Sequence, residues 1–120
     1  MNPANRDFIF YLEDIKVAIE KVLEYAKNMT DSNSLENDLL RYDAILRNLE
    51  VIGEACYRVP VAVKEQFSVF PWKEMYRTRN IVSHQYFGVD SDIIWRIISS
   101  HLPSNLLEIN EIIKFYKNQN

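Results

Sequence analysis

A chain of 120 residues with 48% hydrophobic residues can bury one core, and 26% charged residues among abundant aliphatics exclude intrinsic disorder. Two glycines argue against an all-β fold, and one cysteine excludes a disulfide framework or a multi-cysteine zinc site. The net charge of −3 does not suit a broad phosphate-tracking surface, and no run approaches the ~18 apolar residues of a membrane span. From about Asp7 to Met29, Phe8, Leu12, Ile15, Ile19, Val22 and Ala26 recur at alternating intervals of four and three. That spacing predicts a helix with one apolar stripe, its other face solvated by Glu13, Lys16, Glu20, Lys21, Glu24 and Lys27. Thr30-Asp31-Ser32-Asn33-Ser34 is the most loop-like run of the chain and favours turns and caps.

A second helix is predicted from about Leu35 to Arg58, with Tyr42, Ile45, Leu49, Ile52 and Cys56 along its stripe and Pro60 ending it. Residues 60–66 read as one or two short helical turns. Pro71 suits the first position of a third helix carrying Trp72, Met75, Tyr76, Arg79 and Val82 and ending near Phe87-Gly88. Asp90 or Ser91 caps a fourth with Ile94, Trp95, Ile97 and Ile98. Pro103 either kinks that helix or separates it from a last one holding Leu106, Leu107, Ile109, Ile113 and Tyr116. The sum is an all-α, single-domain bundle of four to five helices spanning 1–120, with up-down topology and no internal repeat. The N-terminal residues lead into charged amphipathic sequence, not a signal-peptide core, so a cytoplasmic protein is expected.

Charge is uneven along the chain. Arg58, Lys64, Lys73, Arg77 and Arg79 against Glu65 and Glu74 give the 58–79 segment a net +3, leaving −6 for the rest. A mildly basic island in an acidic protein suits a local anion site. The chemically dense stretch follows directly, Tyr76-Arg77-Thr78-Arg79-Asn80-Ile81-Val82-Ser83-His84-Gln85-Tyr86. Imidazole moves protons near neutral pH, and a guanidinium matches a phosphate in its ground state or at a pentavalent transition state. Histidine plus arginine without metal ligands suggests RNA cleavage through the ribose 2′-hydroxyl. Two obstacles stand in the way. On a straight helix Arg79 and His84 lie roughly 140° apart, so the helix must end or bend before His84, or the site must draw on two chains. One histidine also supplies only one of the two proton-transfer groups that cleavage wants. A two-fold dimer removes both difficulties by presenting the patch twice.

Arg79-Asn80-x3-His84-x-Tyr86 resembles the R-x4-H-x-Y signature of HEPN-domain ribonucleases, specifically the HepT-like toxins of toxin–antitoxin pairs. Asp43-Ala44 followed by Arg47-Asn48-Leu49-Glu50-x-Ile52-Gly53-Glu54-Ala55 is similar to that family's second-helix pattern. Phe70-Pro71-Trp72 before the motif and Val89-Asp90 and Ile94-Trp95 after it extend the resemblance over most of the chain. The resemblance implies an all-helical homodimer of HEPN type whose facing motifs form a metal-independent endoribonuclease without cofactors. It also implies RNA as substrate, and as partner a minimal nucleotidyltransferase antitoxin that transfers AMP from ATP to Tyr86, blocking the cleft by bulk and charge. Arg79 and His84 are then the catalytic pair. Asn80 orients the imidazole or substrate, and Glu54 contacts the arginine or helps to close the dimer, with a structural role ranked first.

Plainer roles compete for the same residues. From the residues alone His84 reads as a capping or interface histidine, Asn80 as a cap at the helix end, Arg79 as an ion-pair partner of Glu54, and Tyr86 as an aromatic lid. His101 reads as a helix-end residue, Cys56 as core, and Trp72 and Trp95 as core or dimer contacts. Two other function classes remain beside the ribonuclease: a non-catalytic nucleotide-binding or regulatory subunit of a nucleotidyltransferase complex, and a purely structural dimerisation module.

Overall fold

The computed structural model describes residues 8–84 and 88–119, and every regular element among them is helical. In chain order these are α1 (Phe8–Tyr25), α2 (Ser32–Glu36), α3 (Leu39–Arg58), α4 (Val61–Gln66), α5 (Trp72–His84), α6 (Ser91–Arg96), a π-turn (Ile97–His101) and α7 (Leu102–Lys117). All six residues of the predicted stripe are buried, five of them in α1 and Ala26 in the turn after it. The helix ends at Tyr25, not Met29, because the chain tightens into three-residue turns in which Lys27 N donates to the Glu24 carbonyl and Met29 N to that of Ala26.

The predicted second helix is interrupted. Asp31 caps α2 by accepting from Ser34 N at 3.0 Å, so Ser32–Ser34 is helical where a loop was expected. Asp38 then leaves helical geometry (φ −135°, ψ 78°) and accepts from Arg41 N, starting α3 afresh. Two aspartates at capping positions offer the backbone two helix starts instead of one. At the other end the extended Val59 (ψ 134°) terminates α3 before Pro60, as the pre-proline restriction demands. Helix α5 begins at Trp72, one residue later than expected. Pro71 instead precedes it, its carbonyl accepting from Met75 N.

Asp90 caps α6, accepting from Asp92 N at 2.9 Å. The helical path then runs unbroken from Ser91 to Lys117, so Pro103 does not separate two helices. The widened turn at Ile97–His101 relieves the proline, whose ring would otherwise meet the Ser99 carbonyl and whose missing N–H leaves an acceptor free.

Helix α3 is the centre of the packing, with α1 on one side and α5 on the other, and α7 closes against α1. The buried side chains form one continuous cluster, in which Leu12, Ile15, Leu35, Ile45, Ile52 and Phe70 are among the largest that are fully enclosed. Each such side chain contributes about 1.5–3 kcal/mol relative to an exposed one. Tyr116 pins α7 at its end, stacking edge-on against Phe8 and donating its hydroxyl to Gln66 Oε1 at 3.0 Å. The body is elongated, 48 × 27 × 22 Å.

Candidate active site

The seam between α3 and α5 is set by a glycine. A Cβ on Gly53 would lie 2.7 Å from the Met75 carbonyl oxygen and closer still to Arg79 Cβ. Only a hydrogen at this position lets α5 lie against the α3 backbone, and Arg79 is the residue brought onto it. Three residues back along α3, Glu50 Oε2 accepts from Ser83 Oγ at 2.8 Å, four residues onward along α5. The two helices are therefore antiparallel.

Arg79 is held at both ends of its fork. Nη1 donates to Asn80 Oδ1 at 2.9 Å, and Nη2 forms an ion pair with Glu54 Oε2 at 3.5 Å. The other oxygen of Glu54 accepts from Arg58 Nε at 3.2 Å, so one carboxylate sits between two guanidiniums. Both contacts are half-exposed, with side-chain exposures of 32% for Arg79 and 41% for Glu54. Water screening leaves such a pair worth about 0–1 kcal/mol, so its consequence is orientation, not stability. Glu54 thus contacts the arginine, as the structural reading of it expected.

His84 is exposed at the last described residue of α5. The helix continues through His84, so the chain does not leave helical geometry between the arginine and the histidine. At about 100° per residue Ser83 shares the α3-facing side with Arg79, whereas His84 stands roughly 140° from Arg79. Asn80 precedes His84 by four residues and shares its side, while its amide oxygen accepts from Arg79. It is the one residue here that links the two faces. Tyr86 lies outside the described residues.

A cleft of about 260 Å³ opens along this flank between α1, α3 and α5, lined among others by Tyr11, Asp14, Arg47, Glu50, Glu54, Arg58 and Arg79. Such a site can hold an anion against a guanidinium. Arg47, Glu50 and Ser83 were not singled out from the sequence as site residues. The one available signal was the three-residue step from Arg47 to Glu50 within the second-helix pattern, since the partner of Glu50 comes from another helix.

Other polar candidates fall away from the cleft. Cys56 is buried, its Sγ 3.7 Å from Met75 Sδ, and burial pushes its thiol up to about 12, so it packs and does not react. Trp72 is core, its indole N–H donating to the Phe67 carbonyl, and Trp95 packs half-buried on the core. His101 ends the π-turn at the rim of a separate apolar cavity of about 320 Å³ beside Leu49, Ile52 and Leu102. Among the described residues no group of three or more His, Cys, Asp or Glu is placed to hold a metal ion, and no helix is long and apolar enough to cross a membrane.

Comparison with known proteins gives a consistent pattern. The family described as ribonuclease HepT-like matches residues 15–112. A Methanocaldococcus jannaschii protein provisionally named an RNase is 36% identical over 106 residues, covering 88% of this chain and 96% of its own. A Thermococcus cleftensis protein named probable ribonuclease HepT is 37% identical over 94 residues, covering 78% and 84%. A third, from Caldanaerobacter subterraneus and also provisionally named an RNase, is 35% identical over 104 residues, covering 87% and 92%. No solved structure matches the chain significantly.

Proposed function

The chain belongs to the HepT-like ribonuclease family of HEPN proteins, and from that premise we propose that it is a metal-independent endoribonuclease acting as a homodimer. The observation that carries this reading is the Arg79 fork, aligned by Asn80 and Glu54 on a seam that Gly53 keeps tight, with His84 on the same helix. Arg79 grips the phosphate of the scissile bond. The His84 of one chain removes the ribose 2′ proton as the 2′ oxygen bonds to phosphorus. The P–O5′ bond breaks, and the leaving 5′ oxygen takes a proton from the other chain's His84. A cyclic phosphate and a free 5′-hydroxyl result, with no water consumed. Because α5 stays helical through His84, each competent site pairs the arginine of one chain with the histidine of the other. Exposed Ile81 and Ile93 supply apolar surface near the motif for the two-fold contact.

In this reading the protein is the cytoplasmic toxin of a toxin–antitoxin pair, and Tyr86 is its point of control. The phenol oxygen, giving its proton to a base of the partner nucleotidyltransferase, attacks the α-phosphorus of ATP, pyrophosphate leaves, and the AMP ester adds a negative charge two residues after His84. The deciding experiment incubates purified protein with RNA in excess EDTA. Cleavage is expected, and its loss is expected in a His84→Ala variant that still folds. Absence of cleavage by the unsubstituted chain would favour a non-catalytic nucleotide-binding or regulatory subunit of a nucleotidyltransferase complex. With transferase, ATP and magnesium, whole AMP units should add to the chain but not to Tyr86→Phe. Equal addition to both would remove Tyr86 from its role.

A further inference from the structure

We infer that Arg47 of α3 is a second phosphate contact for the RNA strand, a binding residue outside the Arg-x4-His-x-Tyr motif. The inference rests on the ribonuclease reading and adds to it the path that the substrate takes. Arg47 lines the same cleft as Arg79. The formal charges there cancel, with Arg47, Arg58 and Arg79 against Asp14, Glu50 and Glu54, so the cleft is no general sink for anions. What matters is which cations are already engaged. Arg58 and Arg79 share Glu54, and Glu50 accepts from Ser83. Arg47 is exposed and has no ion pair among the described residues, although Glu50 stands one helical turn away.

Its position is as informative as its charge. Arg79 packs opposite Gly53, and Arg47 lies six residues earlier on α3, about 9 Å along the helix axis. Glu50, between them, is tied to Ser83, the neighbour of His84. The antiparallel register therefore carries Arg47 to the His84 end of α5. One strand laid along the cleft can give one phosphate to Arg79 and a neighbouring phosphate to Arg47. A guanidinium suits this role because its planar fork donates two parallel hydrogen bonds to a phosphodiester.

The test uses the full chain carrying His84→Ala, which binds without cutting, and a fluorescent single-stranded RNA titrated at several salt concentrations. Adding Arg47→Ala should weaken binding about tenfold and make the log–log salt dependence shallower by about 0.7, the value of one lost single-strand phosphate contact. Arg47→Lys should keep the slope and lose part of the affinity. Lys21→Ala, an exposed α1 position outside the cleft, controls for net charge and should change neither. Unchanged affinity and slope in Arg47→Ala, or an equal loss in Lys21→Ala, would overturn the assignment. If the unsubstituted chain cleaves RNA while Arg47→Ala binds normally, only the Arg47 assignment fails. If it neither binds nor cleaves RNA, the ribonuclease reading fails and takes this one with it.

Discussion

Replacing Gly53 with alanine should do harm where helix propensity says it should help. Alanine is the better helix residue by about 1 kcal/mol in an ordinary interior position. Here the new Cβ would stand 2.7 Å from the Met75 carbonyl oxygen and closer to Arg79 Cβ, and neither atom is the free end of a flexible side chain. Unstrained carbon contacts lie near ~3.5–4.0 Å, so α5 must move outward by roughly 1 Å. Overpacking of this kind costs about 1–3 kcal/mol, and a gap of that size forfeits about a quarter to a half of each dispersion contact across the seam. Setting the propensity gain against this leaves a net loss of up to about 2 kcal/mol. The same movement carries Arg79 away from a Glu54 contact that is already 3.5 Å long. A misplacement of about 1 Å in a positioning group costs on the order of 10²-fold in rate. Urea titration should show a lower midpoint at unchanged slope, and RNA cleavage should fall by that order. A Gly53→Ala protein as stable as its parent, with undiminished cleavage, would refute the reasoning that close approach at this glycine positions Arg79.

Arg79→Lys should lose most cleavage although charge is kept, because an ammonium cannot donate simultaneously to Asn80, Glu54 and a phosphate in one plane. Steady-state rates on a labelled RNA measure this, and near-normal cleavage would remove Arg79 from the catalytic pair. Asp38→Ala should lower the melting temperature by removing the α3 cap, and the deficit should depend on pH. Hydrogen bonds from the Arg41 side chain, then from its amide, hold the Asp38 carboxyl below its ordinary value of 3.8. A depressed folded-state pKa stabilises the protein above the unfolded value and loses that contribution as pH falls through the folded one. The difference in melting temperature should therefore be full above about pH 5 and close in stronger acid. A pH-independent difference would show that the charge at this cap is immaterial.

The parts of the fold that were legible in the sequence are those governed by periodicity. Phe8, Leu12, Ile15, Ile19, Val22 and Ala26 could be read as a buried stripe because their spacing alone places them on one side of a helix, and all six are buried. Pro60 as a terminator and Asp90 as a cap were legible because each acts on its own neighbours. The break at Asn37-Asp38 was not, since an aspartate within an apolar pattern reads equally as a solvated helix residue until its side chain is seen on Arg41 N. The consequence of Pro103 was half-legible. Its clash with the preceding turn follows from its ring, but the widened π-turn that replaces a break keeps Ile98 and Leu102 buried, which the local sequence does not reveal. At the site, Arg79, Asn80 and His84 stood out by chemical type and spacing, and the pairing of Arg79 with Glu54 was anticipated from the residues. Glu50 with Ser83 was not, because a contact 33 residues apart leaves no periodic trace.

The central claim is that RNA is cut by an arginine and a histidine drawn from two chains. Mixing Arg79→Ala and His84→Ala proteins under conditions that exchange subunits, then assaying RNA cleavage in EDTA, tests it most directly. Each parent should be inactive, since every site in it lacks the same group. The mixed dimer carries one site in which the intact Arg79 of one chain faces the intact His84 of the other. It has one histidine where the native dimer has two, so the leaving oxygen must take its proton from solvent, and cleavage should return in part, in proportion to the mixed species. Exchange verified by differently tagged chains, with no return of cleavage, would contradict the claim.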